Sequence, residues 1–220
     1  MRYVKSEKQG LLVDEIYTKP TLEVSNVISV LISAEFLQMG QLVDDCANFV
    51  VSRISEIVRL PIDMKCLSSN ITKKIAAKME VEDIDFFRDK RDRLKSKLFM
   101  NKLEQVFENP ENFLHLCSRC HTLFTDSQRD WMRCPAGDLY IDAHGHALSH
   151  HMADRKWDLQ KFIMFLREKS VSWREIFWLM WGRLEDFKCT ECNQKFVASE
   201  MDHCSYHTLK PYFKDGSNIG

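Results

Sequence analysis

Apolar residues recur through the first half of the chain at three- and four-residue spacing, the period of a helix with one buried stripe. Val27, Leu31, Ala34, Phe36 and Leu37 predict a first helix from Glu23 onward, with Ser25 and Asn26 available as caps. A second starts near Gly40 and puts Leu42, Val43, Cys46, Phe49, Val50 and Ile54 on one side. After Pro61, Ile71, Ile75, Ala76 and Met79 predict another. A longer pattern runs from Val81 to Glu108, with Ile84, Phe87, Leu94, Leu98, Leu103, Val106 and Phe107 as core positions. Its middle, Arg88 to Lys97, is rich in cations. Asp89 and Asp92 are interspersed there and Asp89 faces Arg93 at i,i+4, so a solvated helix face is expected rather than a nucleic-acid contact.

Beyond Asn109 and Pro110 the pattern changes. Trp131 to Cys134 and Asp138 to Asp142 read as short strands, with turns at Pro135-Ala136-Gly137 and His144-Gly145-His146. Trp157, Phe162, Ile163, Phe165 and Leu166 mark a helix, and Trp173 to Leu184 mark another. The stretch Ile176 to Trp181 is apolar on every side, which predicts a buried helix with Trp173, Trp178 and Trp181 in the core. The fold class expected is mainly α, with small β-ribbon elements in the C-terminal half.

Cysteine spacing supplies the candidate chemistry. Six of the eight cysteines lie between Cys117 and Cys204, in two copies of one arrangement. The first is Cys117-Ser-Arg-Cys120, then Cys134, then a group of histidines. The second is Cys189-Thr-Glu-Cys192, then Cys204 and His207. A Cys-x-x-Cys pair presents two thiolates on one tight knuckle, and a later Cys and His complete a tetrahedral set. The residues leave the fourth ligand of the first set open among His121, His144, His146, His150 and His151, though His121, adjacent to Cys120, is poorly placed for the same ion. In the second set Cys204 with His207 is preferred over His203 with His207, because thiolate is the softer and tighter ligand for zinc. Two closed, structural zinc ions are expected. Cys46 and Cys66 stand outside both sets and are expected in the core.

A disulfide framework would leave the interleaved histidines unexplained. The N-terminus, Met1-Arg2-Tyr3-Val4-Lys5-Ser6-Glu7-Lys8, has no apolar signal core, which points to a reducing compartment where paired cysteines bind metal. The formal net charge of −1 suggests no nucleic-acid or anionic-membrane partner. From Glu185 to Asp215, four Lys and no Arg face six acids, unlike a finger that tracks phosphates. No apolar run approaches the ~18 residues of a membrane span.

Asn26-Val27, the helix Ile28 to Phe36, Leu37-Gln38-Met39, Leu42-Val43 and Cys46 resemble the C-terminal half of a BTB/POZ domain. The stretch from Met1 to Leu22 looks like the strand and connection leading into it. The order then continues through Lys95-Ser96-Lys97, the first Cys-x-x-Cys, Cys134, Asp142, Gly145 and His151. It goes on through Asp154 and Trp157, Ser172-Trp173-Arg174, Trp181-Gly182, the second Cys-x-x-Cys and Cys204-Ser-Tyr-His207. Across nearly the whole chain this is similar to the SANT and BTB domain regulator of class switch recombination family.

The resemblance implies a partial BTB helical hairpin over 1–60, a helical connector over 61–110, a two-zinc region with a Trp-rich helical pair over 111–215, and a tail over 216–220. It selects His151 as the fourth ligand of the first site, with His150 next. The metal set is then Cys117, Cys120, Cys134, His151, Cys189, Cys192, Cys204 and His207. It further implies a non-enzymatic regulator, nuclear or cytoplasmic, with corepressor and histone deacetylase partners and self-association through BTB. An adaptor for a cullin-type ubiquitin ligase is the alternative within that class. A zinc hydrolase or nuclease built on His144 to His151 is the enzyme alternative. Against it, His146 to His150 contains no Asp to orient a metal-bound water, and Glu111 to Gln160 carries five cations against seven acids.

Overall fold

The computed structural model describes residues 21–141, 143 and 147–203. The chain divides into two compact units, Met1–Asn101 and Lys102–Gly220. The described residues are mainly helical, with three small antiparallel sheets.

In the first unit, α1 (Val27–Phe36) and α2 (Gly40–Ser52) form a helical hairpin. The chain reverses through Gln38, whose φ of 57° lies in the left-handed region, and Met39 N–H closes the turn onto Ala34 O at 2.9 Å. Val27, Ile28, Leu31 and Ala34 bury against Val43, Cys46, Ala47 and Val50. Then come α3 (Ile54–Ile57), a 3-10 turn at Met64–Cys66, and α4 (Ser69–Ala77), which packs on α2 with Ile71, Ile75 and Ala76 buried. Ser68 caps α4 by accepting from Ile71 N–H, and its hydroxyl donates to Glu35 of α1 at 2.8 Å. The hairpin and α4 are thus joined by polar contact as well as by burial.

Several expectations change here. Phe36 and Leu37 are 85% and 63% exposed, because α1 ends at Phe36 and its last side chains run past the layer formed by α2. Cys46 is fully buried as a core thiol, and burial pushes its pKa up. Cys66 is exposed, its Sγ donating to Asp63 O. The long helix expected from Val81 to Glu108 is two, α5 (Val81–Phe86) and α6 (Lys95–Glu108). Asp89 breaks it by accepting from Leu94 and Lys95 N–H at 2.7 and 3.1 Å, which caps the start of α6. Asp92, with φ 46°, accepts from Ser96 N–H and Oγ. The Arg93 guanidinium, expected to face Asp89, instead donates to the carbonyls of Leu60 and Ile62 at 2.7 and 2.8 Å.

The second unit begins within α6 and carries β1 (His115–Leu116) paired with β2 (Leu123–Phe124), and β3 (Tyr140–Ile141) paired with β4 (Ala147–Leu148). Then follow α7 (Leu159–Glu168), α8 (Trp173–Leu184) and the hairpin of β5 (Asp186–Lys188) with β6 (Lys195–Val197). Trp131 to Cys134, expected as a strand, is a turn: Trp131 and Met132 N–H both bond to Gln128 O, which coils the backbone.

Helix α8 packs against α7, β2, β6 and the 3-10 turn Ala198–Glu200. Its start is set by a capping box, Ser172 and Glu175 each accepting from the other's backbone N–H. Near its end Gly182 lets that 3-10 turn approach, since a Cβ there would lie 3.3 Å from Ser199 Cβ. The helix is not buried all round. Ile176, Phe177 and Met180 form its buried face, whereas Trp173, Trp178 and Trp181 are half-buried at its flank. They are held by edge-on ring contacts, 5.3 Å for Trp178–Trp181, and by Arg167 lying 5.1 Å over Trp173. No helix among the described residues is long and apolar enough to cross a membrane.

Candidate metal centre

The β1–β2 hairpin turns through a knuckle. Cys117 N–H donates to Thr122 O, His121 N–H donates back to Cys117 O, and His121 adopts φ 58° to close the loop. This folds Cys117 and Cys120 side by side and directs exposed His121 away. Cys134 arrives on the turn after Gln128. Its backbone N–H donates to Ser149 O at 2.9 Å, and its carbonyl accepts from Ser149 Oγ at 2.8 Å. A Cβ at Gly137 would run into that same hydroxyl. His151 lies on an extended segment laid antiparallel to the knuckle, with Ser118 N–H on Met152 O and Asp154 N–H on Leu116 O, both 2.8 Å. Its ring stacks on buried Phe124 at 5.0 Å.

The ligand atoms of Cys117, Cys120, Cys134 and His151 all lie within 4.8 Å of one another, three of the four residues being buried. Their separations fit one small ion. A tetrahedron with zinc–sulfur bonds of ~2.3 Å has S–S edges of ~3.8 Å and S–N edges of ~3.6 Å. Cys117 and Cys134 Sγ are 3.9 Å apart, and Cys120 Sγ is 3.4 Å from His151 Nδ1. His151 Nε2, turned away from the thiols, is buried without a hydrogen-bond partner. His150 points elsewhere, its Nδ1 3.3 Å from Arg129 O. His144 and His146 lie outside the described residues.

The electrostatics are unequal across the four. Burial alone would raise the Cys117 thiol, but backbone N–H groups of Cys120, Arg119 and Met152, with the His151 ring, bring it down to about 6. Cys134 goes the other way, to about 11: burial raises it, and the neighbouring sulfurs of Cys120 and Cys117 add to that against one helpful backbone contact from Ala136. Within a pair 3.9 Å apart, the negative charge therefore settles on Cys117. A bound cation would hold both as thiolates.

The second knuckle repeats the first residue for residue. Cys189 N–H donates to Gln194 O, Asn193 N–H donates to Cys189 O, and Asn193 has φ 59°. The strand registers match too: His115↔Phe124 corresponds to Phe187↔Phe196, and Leu116↔Leu123 to Lys188↔Lys195. Cys189 and Cys192 line a cavity of about 520 Å³ together with Asp202 and His203. Among the described residues no third Cys, His, Asp or Glu comes within ligand distance of both thiols, His203 included. Cys204 and His207 lie outside the described residues.

Gln128, which spacing did not single out, ties the two hairpins together. Fully buried, it accepts from Thr125 N–H at 2.9 Å and donates to Arg183 O and Asp186 Oδ1, both at 2.8 Å. Those two contacts anchor the end of α8 and the start of β5. Gln128→Leu strands the buried Thr125 N–H, at about 1–3 kcal/mol, and removes the bonds to the Arg183 carbonyl and the exposed Asp186 carboxylate. The expected loss is at least about 2 kcal/mol, measured by urea denaturation, and a loss no larger than that of an exposed Gln194→Leu substitution would refute the clamp.

No solved structure matches the chain. A family model does match at the other end, outside the metal centre. Residues 1–47 match SANT and BTB domain regulator of CSR, BTB domain, which bears out the resemblance read from Asn26 to Cys46.

Proposed function

We propose that this chain is a non-enzymatic protein-interaction module of a transcriptional or chromatin regulator, stapled by two structural zinc ions. Cys117, Cys120, Cys134 and His151 hold one ion; Cys189, Cys192, Cys204 and His207 hold the other. The convergence of three thiols and one imidazole at tetrahedral spacing carries the zinc part of the reading. Four protein ligands leave no open position for water or substrate, so the ion serves folding rather than hydrolysis. The duplicated knuckle supports the same role for Cys189 and Cys192.

The interaction part rests on the BTB match at residues 1–47, a domain type that mediates protein association and dimerisation. Partners of corepressor and histone deacetylase type, in the nucleus, are the reading the family favours, over the segments 1–60, 61–110 and 111–215.

Elemental analysis of the purified chain tests the metal part. Two zinc per folded chain is the expected value, and one or none would sink the two-site reading. For the partner part, histone deacetylase activity should co-purify with the tagged chain from nuclear extract. Recovery of a cullin in its place would favour the ubiquitin-ligase adaptor.

A further inference from the structure

The break between α5 and α6 creates a site that a continuous helix would not have. The loop from Arg88 to Arg93 commits both of its carboxylates to the start of α6. Asp89 is engaged with the backbone N–H groups of Leu94 and Lys95, and Asp92 with Ser96. The cations are left facing out. Arg88, Lys90 and Arg91 are exposed and their side chains make no hydrogen bond or ion pair among the described residues, and the same holds for the side chain of Arg59 across the gap. Arg93 is held in place through the Leu60 and Ile62 carbonyls. These five cations and the single carboxylate of Asp89 line one cavity of about 490 Å³. So many like charges around one small volume repel one another unless an anion neutralises them.

We propose that the cavity walled by Arg59, Arg88, Lys90, Arg91 and Arg93 binds a phosphate monoester, carried on a phosphorylated side chain of a protein partner. Four of the five cations are arginines, whose planar fork matches phosphate oxygens in pairs. The site is a compact pocket, not a stripe along which a nucleic-acid backbone could be tracked. Phe86 points to a polypeptide carrier. It is 88% exposed and lines a second cavity of about 380 Å³ that shares Arg88, Asp89 and Lys90 with the first. A phosphorylated residue in one cavity therefore puts its chain neighbour against an aromatic ring in the other. The pocket lies wholly in the first unit and requires no metal.

The test titrates the full chain with three probes by calorimetry: a short peptide bearing one phosphoserine followed by leucine, its unphosphorylated twin, and inorganic pyrophosphate. The phosphopeptide should bind at least about tenfold more tightly than its twin. Arg88→Glu and Arg91→Glu should each weaken it by about tenfold or more, with melting temperature unchanged because both side chains are exposed. Lys78→Glu, an exposed cation of the same unit outside the pocket, should leave binding intact. Phe86→Ala should weaken the peptide and spare pyrophosphate, which assigns the polypeptide source; equal affinity changes for both probes would assign a free phosphate ester. The proposal is overturned if neither phosphate probe binds at physiological salt. Equal losses for Lys78→Glu and Arg88→Glu, or tighter binding of duplex DNA than of the phosphopeptide, would overturn it too.

Discussion

Replacing Cys117 by serine will release one zinc ion and unfold the Lys102–Gly220 unit. Cys117 is fully buried, and it belongs to a small apolar cluster with Phe124, Met132, Cys134 and Val197. The thiol is thus both candidate ligand and core. A structural zinc site contributes on the order of 10 kcal/mol to folding, against a net domain stability of about 5–15 kcal/mol, so its loss exceeds what the remaining packing can offset. The readouts are zinc per chain, which should fall by one or more, and near-ultraviolet dichroism of the tryptophans, which should flatten. A chelator added to the unaltered chain should reproduce both. Cys46→Ser is the control: equally buried but in no cluster of three or more potential metal ligands among the described residues, it should keep the full metal content and cost only about 1–3 kcal/mol for a hydroxyl placed in apolar surroundings. Equal effects of the two substitutions would refute the structural ion.

Phe124→Ala should cost about 3–5 kcal/mol, the range for an aromatic removed from a packed interior. Phe124 has no exposed surface, stacks on His151 at 5.0 Å and has the Arg129 guanidinium 5.8 Å away. Because that ring stacking fixes the imidazole, truncation should weaken zinc as well as stability, visible in a competition titration with a chromophoric chelator. Phe113→Ala offers the comparison. Phe113 is 58% exposed and meets the His115 ring edge-on at 4.9 Å, so its loss should stay near about 0.5 kcal/mol. If both variants melt alike, Phe124 does not brace the site.

The helical hairpin was legible because its stripe is long and regular: Val27, Leu31 and Ala34, then Val43, Cys46 and Val50, are buried as their spacing implies. Periodicity alone overran the ends, assigning Phe36 and Leu37 to a core that α1 does not reach. It also overran Asp89, whose acceptance of two backbone N–H groups is a capping signal that an apolar stripe hides. Cys-x-x-Cys spacing located both knuckles, since the two thiols and the residue in the left-handed turn are all local. The fourth position was not local. Spacing left five histidines open, and the geometry that gathers His151 depends on a segment paired across Ser118 and Leu116, a tertiary event. Gln128 escaped notice for the same reason, because its three partners lie on either side of a long sequence gap.

That glutamine has a consequence for how the unit responds to metal supply. One side chain grips the loop leaving the first knuckle and the strand entering the second. Ordering either hairpin therefore lowers the entropic cost of ordering the other. Two ions held as proposed on such a frame would load with positive cooperativity: singly occupied chains would stay scarce, and the fraction folded would rise more steeply with free zinc than independent sites allow. A cell short of zinc would then hold two populations of this chain, intact and collapsed, with little between them.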